Sequence, residues 1–178
     1  EGTGGNGLVV DNFENLGQQG YIGYWPPDED GETFTSLWRP IKGIDPEETK
    51  VTFTVLMMIT ASTNEHRDDF RWSVYNNNEQ RLVTLDFDNE TRNINYALDD
   101  NIFLPTGYNF ENEALYDLKL VMDFASNKWS ASIGNEVLLD SNKPTTTGSS
   151  LTFGDLVPLF VYRNPETPGN NYMVFDDY

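Results

Sequence analysis

The chain has 178 residues, with 29 acidic against 11 basic side chains, a formal net charge of -18, one histidine and no cysteine. Such a charge repels phosphate backbones and anionic leaflets, so nucleic acid and membrane surfaces are disfavoured as partners. The missing cysteines exclude disulfides, thiolate catalysis and cysteine-held metal centres, and a lone His66 excludes multi-histidine sites.

Residues 1–7, Glu-Gly-Thr-Gly-Gly-Asn-Gly, read as a flexible leader or linker remnant, and 8–178 as one domain. No apolar run approaches the ~20 residues of a membrane-spanning helix. From Leu8 onward the pattern has period two. Residues 8–14 form an opening strand before a glycine-containing loop. Val51, Phe53, Val55, Met57 and Ile59 make one face of a long strand with threonines on the other. Phe70, Trp72 and Val74 follow, then Ile94, Tyr96 and Leu98. Next come Tyr116, Leu118, Leu120, Met122 and Phe124, then Trp129, Ala131 and Ile133. Asparagine-rich and aspartate-rich turns separate these runs, among them Asn76-Asn77-Asn78, Asp88-Asn89-Glu90 and Ser126-Asn127. One short helical turn is expected, at residues 111–114 or 153–156. Ten or more strands without a substantial helix predict an all-β, two-sheet antiparallel sandwich.

Three segments carry a family likeness. They are the opening Leu8-Val9-Val10-Asp11-Asn12-Phe13-Glu14, a hairpin from Leu120 to Leu139 around Lys128-Trp129-Ser130-Ala131, and the closing Tyr172-Met173-Val174-Phe175-Asp176-Asp177-Tyr178. Together they resemble the concanavalin A-like, or laminin G-like, jelly-roll domains, above all secreted bacterial versions found alone or beside carbohydrate-active enzymes. The resemblance implies that first and last strands pair, setting Asp11-Asn12-Phe13 near Asp176-Asp177-Tyr178. It also implies a structural calcium there, held by Asp11 or Glu14 and Asp176 or Asp177. No organic cofactor is expected.

Catalytic signatures are missing. Jelly-roll glucanases resemble one another in a Glu-x-Asp-x-x-Glu or Glu-x-Asp-x-Glu strand that sends its acids into one cleft, and no such segment exists here. Glu111-Asn112-Glu113 has the spacing of a pair but sits before its strand. His66, in Asn64-Glu65-His66-Arg67-Asp68-Asp69, reads as a solvated loop residue. Sugar binding needs exposed aromatic surface ringed by hydrogen-bonding groups. Trp72 and Trp129 alternate with aliphatic residues and read as core. Trp25 and Trp38, at loop edges, are candidate platforms, Trp38 followed by Arg39; Tyr75, beside Asn76-Asn77-Asn78, and Tyr162, beside Arg163, are further candidates of the same kind. The Asn89-Glu90-Thr91 tripeptide matches a glycosylation sequon. The resulting expectation is a secreted or cell-surface bacterial module, non-catalytic, binding a neutral oligo- or polysaccharide. An extracellular structural or adhesion domain contacting protein is the alternative, and a jelly-roll glycan-degrading enzyme the third reading.

Overall fold

The structure, a computed structural model, describes residues 10–11, 18–26, 31–38, 41, 44 and 48–176. The described strands are β1 (Val10–Asp11), β2 (Gln18–Gly23), β3 (Phe34–Ser36), β4 (Lys50–Ile59), β5 (Asp69–Tyr75), β6 (Arg81–Phe87) and β7 (Asn93–Ala97). They continue with β8 (Leu104–Asn109), β9 (Tyr116–Asp123), β10 (Lys128–Ile133), β11 (Glu136–Lys143), β12 (Asp155–Val161) and β13 (Tyr172–Asp176). They form a seven-stranded sheet, β1-β2-β13-β4-β9-β10-β11, and a six-stranded sheet, β3-β12-β5-β6-β7-β8. All pairings are antiparallel.

The period-two pattern sets this architecture. Along β4, Val51, Val55, Met57 and Ile59 are buried while Lys50, Thr52 and Thr54 are exposed. Facing them from the other sheet, Phe70, Trp72 and Val74 of β5 are fully buried. Trp72 joins the layers: its ring centroid lies 5.2 Å from that of Phe53 on β4 and 5.3 Å from that of Phe175 on β13. Its Nε1 donates to Met57 Sδ at 3.3 Å, which satisfies the buried indole. Trp129 of β10 meets Tyr96 of β7 at 6.2 Å in the same interior. Both tryptophans are therefore core, as the alternation requires.

Two expectations need correction. The first and last strands are not neighbours: β1 pairs with β2, and β2 separates it from β13. Residues 18–23 form β2, a strand that contains Gly20 and Gly23. The glycines explain how it fits, because a Cβ on Gly20 would strike the Phe175 ring and one on Gly23 would crowd the Tyr172 Cβ at 3.0 Å. Neither helical turn forms among the described residues. Residues 112–113 make a tight turn with Glu113 at φ 61°, and residues 153–156 run extended into β12.

A register slip in the β5–β6 ladder between Val74 and Tyr75 matters for function. Val74 faces Val83 and Tyr75 faces Arg81, so Leu82 is the extra residue. Leu82 and Val83 both turn into the core, while Tyr75 is left on the outer face.

Candidate functional site

The outer face of the six-stranded sheet is built from the residues that alternate with its core set. β5 contributes Asp69, Arg71, Ser73 and Tyr75, and β12 contributes Asp155, Val157, Leu159 and Val161. Matched cross-strand partners form rows. One runs Ser36, Leu159, Arg71, Asp86, Asn95, Pro105 across all six strands, and the next runs Val157, Ser73, Thr84, Ala97. Ser73 and Thr84 face away from the core yet have no exposed surface, their hydroxyls bonded at 2.8 Å. Their neighbours close over them. Arg71 donates to Asp86 at 2.7 Å and its guanidinium lies 4.5 Å from the Phe103 ring centre; Asn95 Nδ2 donates to the other Asp86 oxygen at 3.1 Å.

Toward β3 the same face is open. A cavity of about 320 Å³ is lined by Phe34, Ser36, Trp38, Tyr75, Glu79 and Asp155, with Val157 and Leu159 as its floor. Phe34 is 47% exposed and Trp38 48%, high values for rings of this size. Residues 34, 36 and 38 share one side of an extended segment, so the period that makes Thr35 and Leu37 buried sends Phe34 and Trp38 outward. Burial raises the Tyr75 phenol, against the opposing pull of Arg81, the Ser73 hydroxyl and Arg71.

The second wall is a turn organised by Asn76, itself buried. Its Oδ1 accepts from the N–H groups of Asn78 at 2.9 Å and Gln80 at 3.0 Å, and its Nδ2 donates to Gln80 Oε1 at 3.0 Å and the Ser150 carbonyl at 3.1 Å. This holds Glu79 at φ 60°, a left-handed conformation uncommon for a residue with a side chain. Gly154 lets the chain entering β12 pass, since a Cβ there would overlap the Asn76 carbonyl. The carboxylates of Glu79 and Asp155 have no hydrogen-bond or ion-pair partner among the described residues.

The structure thus brings Trp38 and Tyr75 together and adds Phe34, Glu79 and Asp155, which the sequence reading passed over. The i, i+2, i+4 spacing of Phe34, Ser36 and Trp38 is the signal that could have found the first of these. Other candidates lie elsewhere. Tyr162 is buried against Phe160, and its hydroxyl donates to the Trp25 carbonyl. Burial pushes that phenol up to about 12, the Thr35 hydrogen bond opposing it and Glu32 and Tyr24 adding to it. Trp25 is half-buried. Arg39 lies outside the described residues.

Arg163 is consumed by acids. It donates to Asp69 at 2.9 Å, Asp88 at 2.5 Å and Glu90 at 2.9 Å. Burial lowers its guanidinium, but Asp69, Asp88 and Glu90 together raise it above its ordinary value. Burial pushes Asp69 up to about 6 despite the Asn89 N–H and Arg163. His66 is exposed and, with Glu65, Arg67 and Arg163, borders a cavity of about 240 Å³. Glu113 caps Ala61 N–H at 2.8 Å. Asn89 of the sequon is buried, with its side-chain oxygen accepting from Asn112 at 3.1 Å, and presents no surface to a glycan transferase. Of the calcium candidates, Glu14, Asp177 and the Asp11 side chain lie outside the described residues, and Asp176 ends β13 opposite Leu56, half-buried.

No family model and no curated protein matches the sequence. Solved structures do. An alginate lyase of Polysaccharide Lyase family 7 is 12% identical over 94% of this chain and 78% of its own, with a TM-score of 0.58. The carbohydrate-binding module CBM66 from Bacillus subtilis is 12% identical over 97% of this chain and 89% of its own, at 0.52. A sialidase is 11% identical over 90% of this chain at 0.57, and the match spans 15% of that longer protein. At these identities the likeness is one of architecture: the chain has the concanavalin A-like jelly-roll fold.

Proposed function

We propose that this domain is a non-catalytic, extracellular carbohydrate-binding module that takes a neutral glycan, rather than a polyanion, on the outer face of its six-stranded sheet. The observation that carries the reading is the half-exposed Trp38 ring beside Phe34 over an apolar floor of Val157 and Leu159, on a face otherwise closed by paired side chains. Sugar rings present apolar C–H faces to aromatic rings and hydroxyls to polar rims, and this pocket offers both surfaces. Two of the structural neighbours are a carbohydrate-binding module and an alginate lyase, which supports a glycan ligand without naming it. Among the described residues no lysine or arginine lines the pocket, which speaks against an anionic sugar.

The test is a broad glycan panel followed by calorimetry on the hits. Trp38→Ala is expected to weaken binding roughly tenfold or more, while Arg163→Met leaves affinity unchanged. Silence across the panel would favour the structural or adhesion reading, and release of new sugar ends would favour the enzyme. Running the titration in calcium and in EDTA, with a thermal shift, tests for a cation at Asp11, Glu14, Asp176 and Asp177, because a ligand of the folded state alone raises apparent stability.

A further inference from the structure

The pocket's charge is one-sided. Its charged groups are two carboxylates, Glu79 on the turn wall and Asp155 at the start of β12, directly opposite Tyr75 in the ladder. A carboxylate only accepts hydrogen bonds. The bases beside Tyr75, which act on its phenol through space, are held by other groups. Arg71 is bound to Asp86 under Phe103, and Arg81, across β5 from the pocket, donates to the Leu98 carbonyl at 2.7 Å. The Asn76 amide, which could have supplied donors, spends them on Gln80 and Ser150. Three rings, those of Phe34, Trp38 and Tyr75, line it as well, with the Ser36 hydroxyl and the Val157 and Leu159 side chains.

The donors on the lining, the Ser36 and Tyr75 hydroxyls and the Trp38 indole N–H, are uncharged, so a cation to match the two carboxylates has to come from the ligand. Sugar hydroxyls supply donors without charge, but a protonated amine supplies three and a charge besides. It is drawn to aromatic faces as well as to carboxylates, and the net charge of -18 enriches cations around the whole domain. Resting on the glycan-binding reading of this pocket, and extending it from uncharged to positively charged sugars, we propose that the preferred unit is an amino sugar whose free ammonium sits between the Glu79 and Asp155 carboxylates while its ring stacks on Trp38. N-acetylation would remove the charge and two of the three donors, so the pocket would distinguish deacetylated from acetylated polymers of one backbone.

The experiment compares glucosamine and galactosamine with their parent sugars and their N-acetyl forms, at about pH 6 where a sugar amine is protonated. Binding is followed by the indole N–H shifts in nuclear magnetic resonance on the full chain. The amines are expected to bind roughly five- to tenfold more tightly than either uncharged series, with the advantage shrinking as salt rises. The double substitution Glu79→Gln and Asp155→Asn is expected to bring amines down to the level of the parent sugars, and Trp38→Ala to weaken every series. Glu79 is exposed and Asp155 half-exposed, so the double variant keeps its fold, checked by circular dichroism. If uncharged sugars bind as tightly as amines and all depend on Trp38, the amino-sugar assignment is overturned and the platform stands. If no series binds, or binding ignores Trp38→Ala, both fall.

Discussion

Replacing Arg163 by methionine separates a structural role from a binding one. The guanidinium, one-third exposed, neutralises Asp69, whose side chain is 12% exposed, and reaches Asp88 and Glu90 as well. Asp69 is raised to about 6 in the folded protein, above the ordinary carboxylate value near 3.9. Its ionisation therefore opposes folding: the stability it lends is full below about pH 4 and is lost as pH rises through 6. Arg163 limits that loss. Removing one partner of a fully buried pair costs about 3–5 kcal/mol; partial exposure here discounts this to about 2–3 kcal/mol at about pH 8. For a chain of this size that is a fall in Tm of roughly 5–10 °C. Near pH 5 the Asp69 proton is already bound in the folded state of both proteins, so the penalty drops to about 1 kcal/mol from the rim acids and lost packing. Thermal unfolding followed by circular dichroism at the two pH values measures the difference. Equal falls at both, or a larger fall at the lower pH, would refute the assignment of Arg163 as the counterion of Asp69.

Asp99 predicts the opposite pH dependence. Burial raises its carboxyl, but hydrogen bonds from the Thr146, Thr147 and Ser149 hydroxyls and the Thr147 N–H hold it well below the usual range. The stability it lends is present above about pH 4 and is lost on acidification, so Asp99→Asn is expected to cost about 1–2 kcal/mol near pH 7 and to flatten the acid limb in urea titrations. Gly154→Ala should cost roughly 1–3 kcal/mol by driving the new methyl into the Asn76 carbonyl. It should also displace the turn bearing Glu79, so ligand affinity and urea midpoint fall together; a variant that loses neither contradicts the packing described.

The long core strands were legible because each buries one face and wets the other. β4, β9 and β10 follow this alternation in burial, with Leu118, Leu120 and Met122 of β9 buried beside exposed Asp117 and Lys119, while in β5 it shows in the residue types, since its outward Asp69 and Ser73 are also covered. β12 was harder to see. Val157, Leu159 and Val161 form a second apolar cluster on the outer face, so the strand is buried on both sides and has no alternation. Pro158 at its centre also argues against a strand. It is tolerated because its carbonyl and its missing donor both face the β3 side, where Leu37 N–H bonds the Pro158 carbonyl at 3.2 Å just beyond the end of β3. The site was half legible. Trp38 and Tyr75 stood out as large rings next to turns, but Glu79 and Asp155 meet them only through the pairing of β5 with β12 and the Asn76 turn, contacts distant in sequence. Arg163 and Tyr162 looked available for the same reason in reverse: their partners Asp69 and the Trp25 carbonyl lie far along the chain.

The unequal placement of the tryptophans also makes the domain its own optical reporter. Trp72 and Trp129 are sealed in the sandwich, Trp38 stands half in water at the mouth of the pocket, and half-buried Trp25, outside the pocket lining, adds an intermediate background that Trp25→Phe would remove. Sealed indoles emit toward the blue and are shielded from dissolved quenchers; a wetted one emits toward the red and is quenched on contact. Iodide or acrylamide would address the red component first, and an occupant of the pocket would protect that component while leaving the blue emission untouched. Loss of the blue component, in contrast, would register opening of the interior itself. Unlabelled emission spectra taken with and without quencher can thus tell occupancy from unfolding.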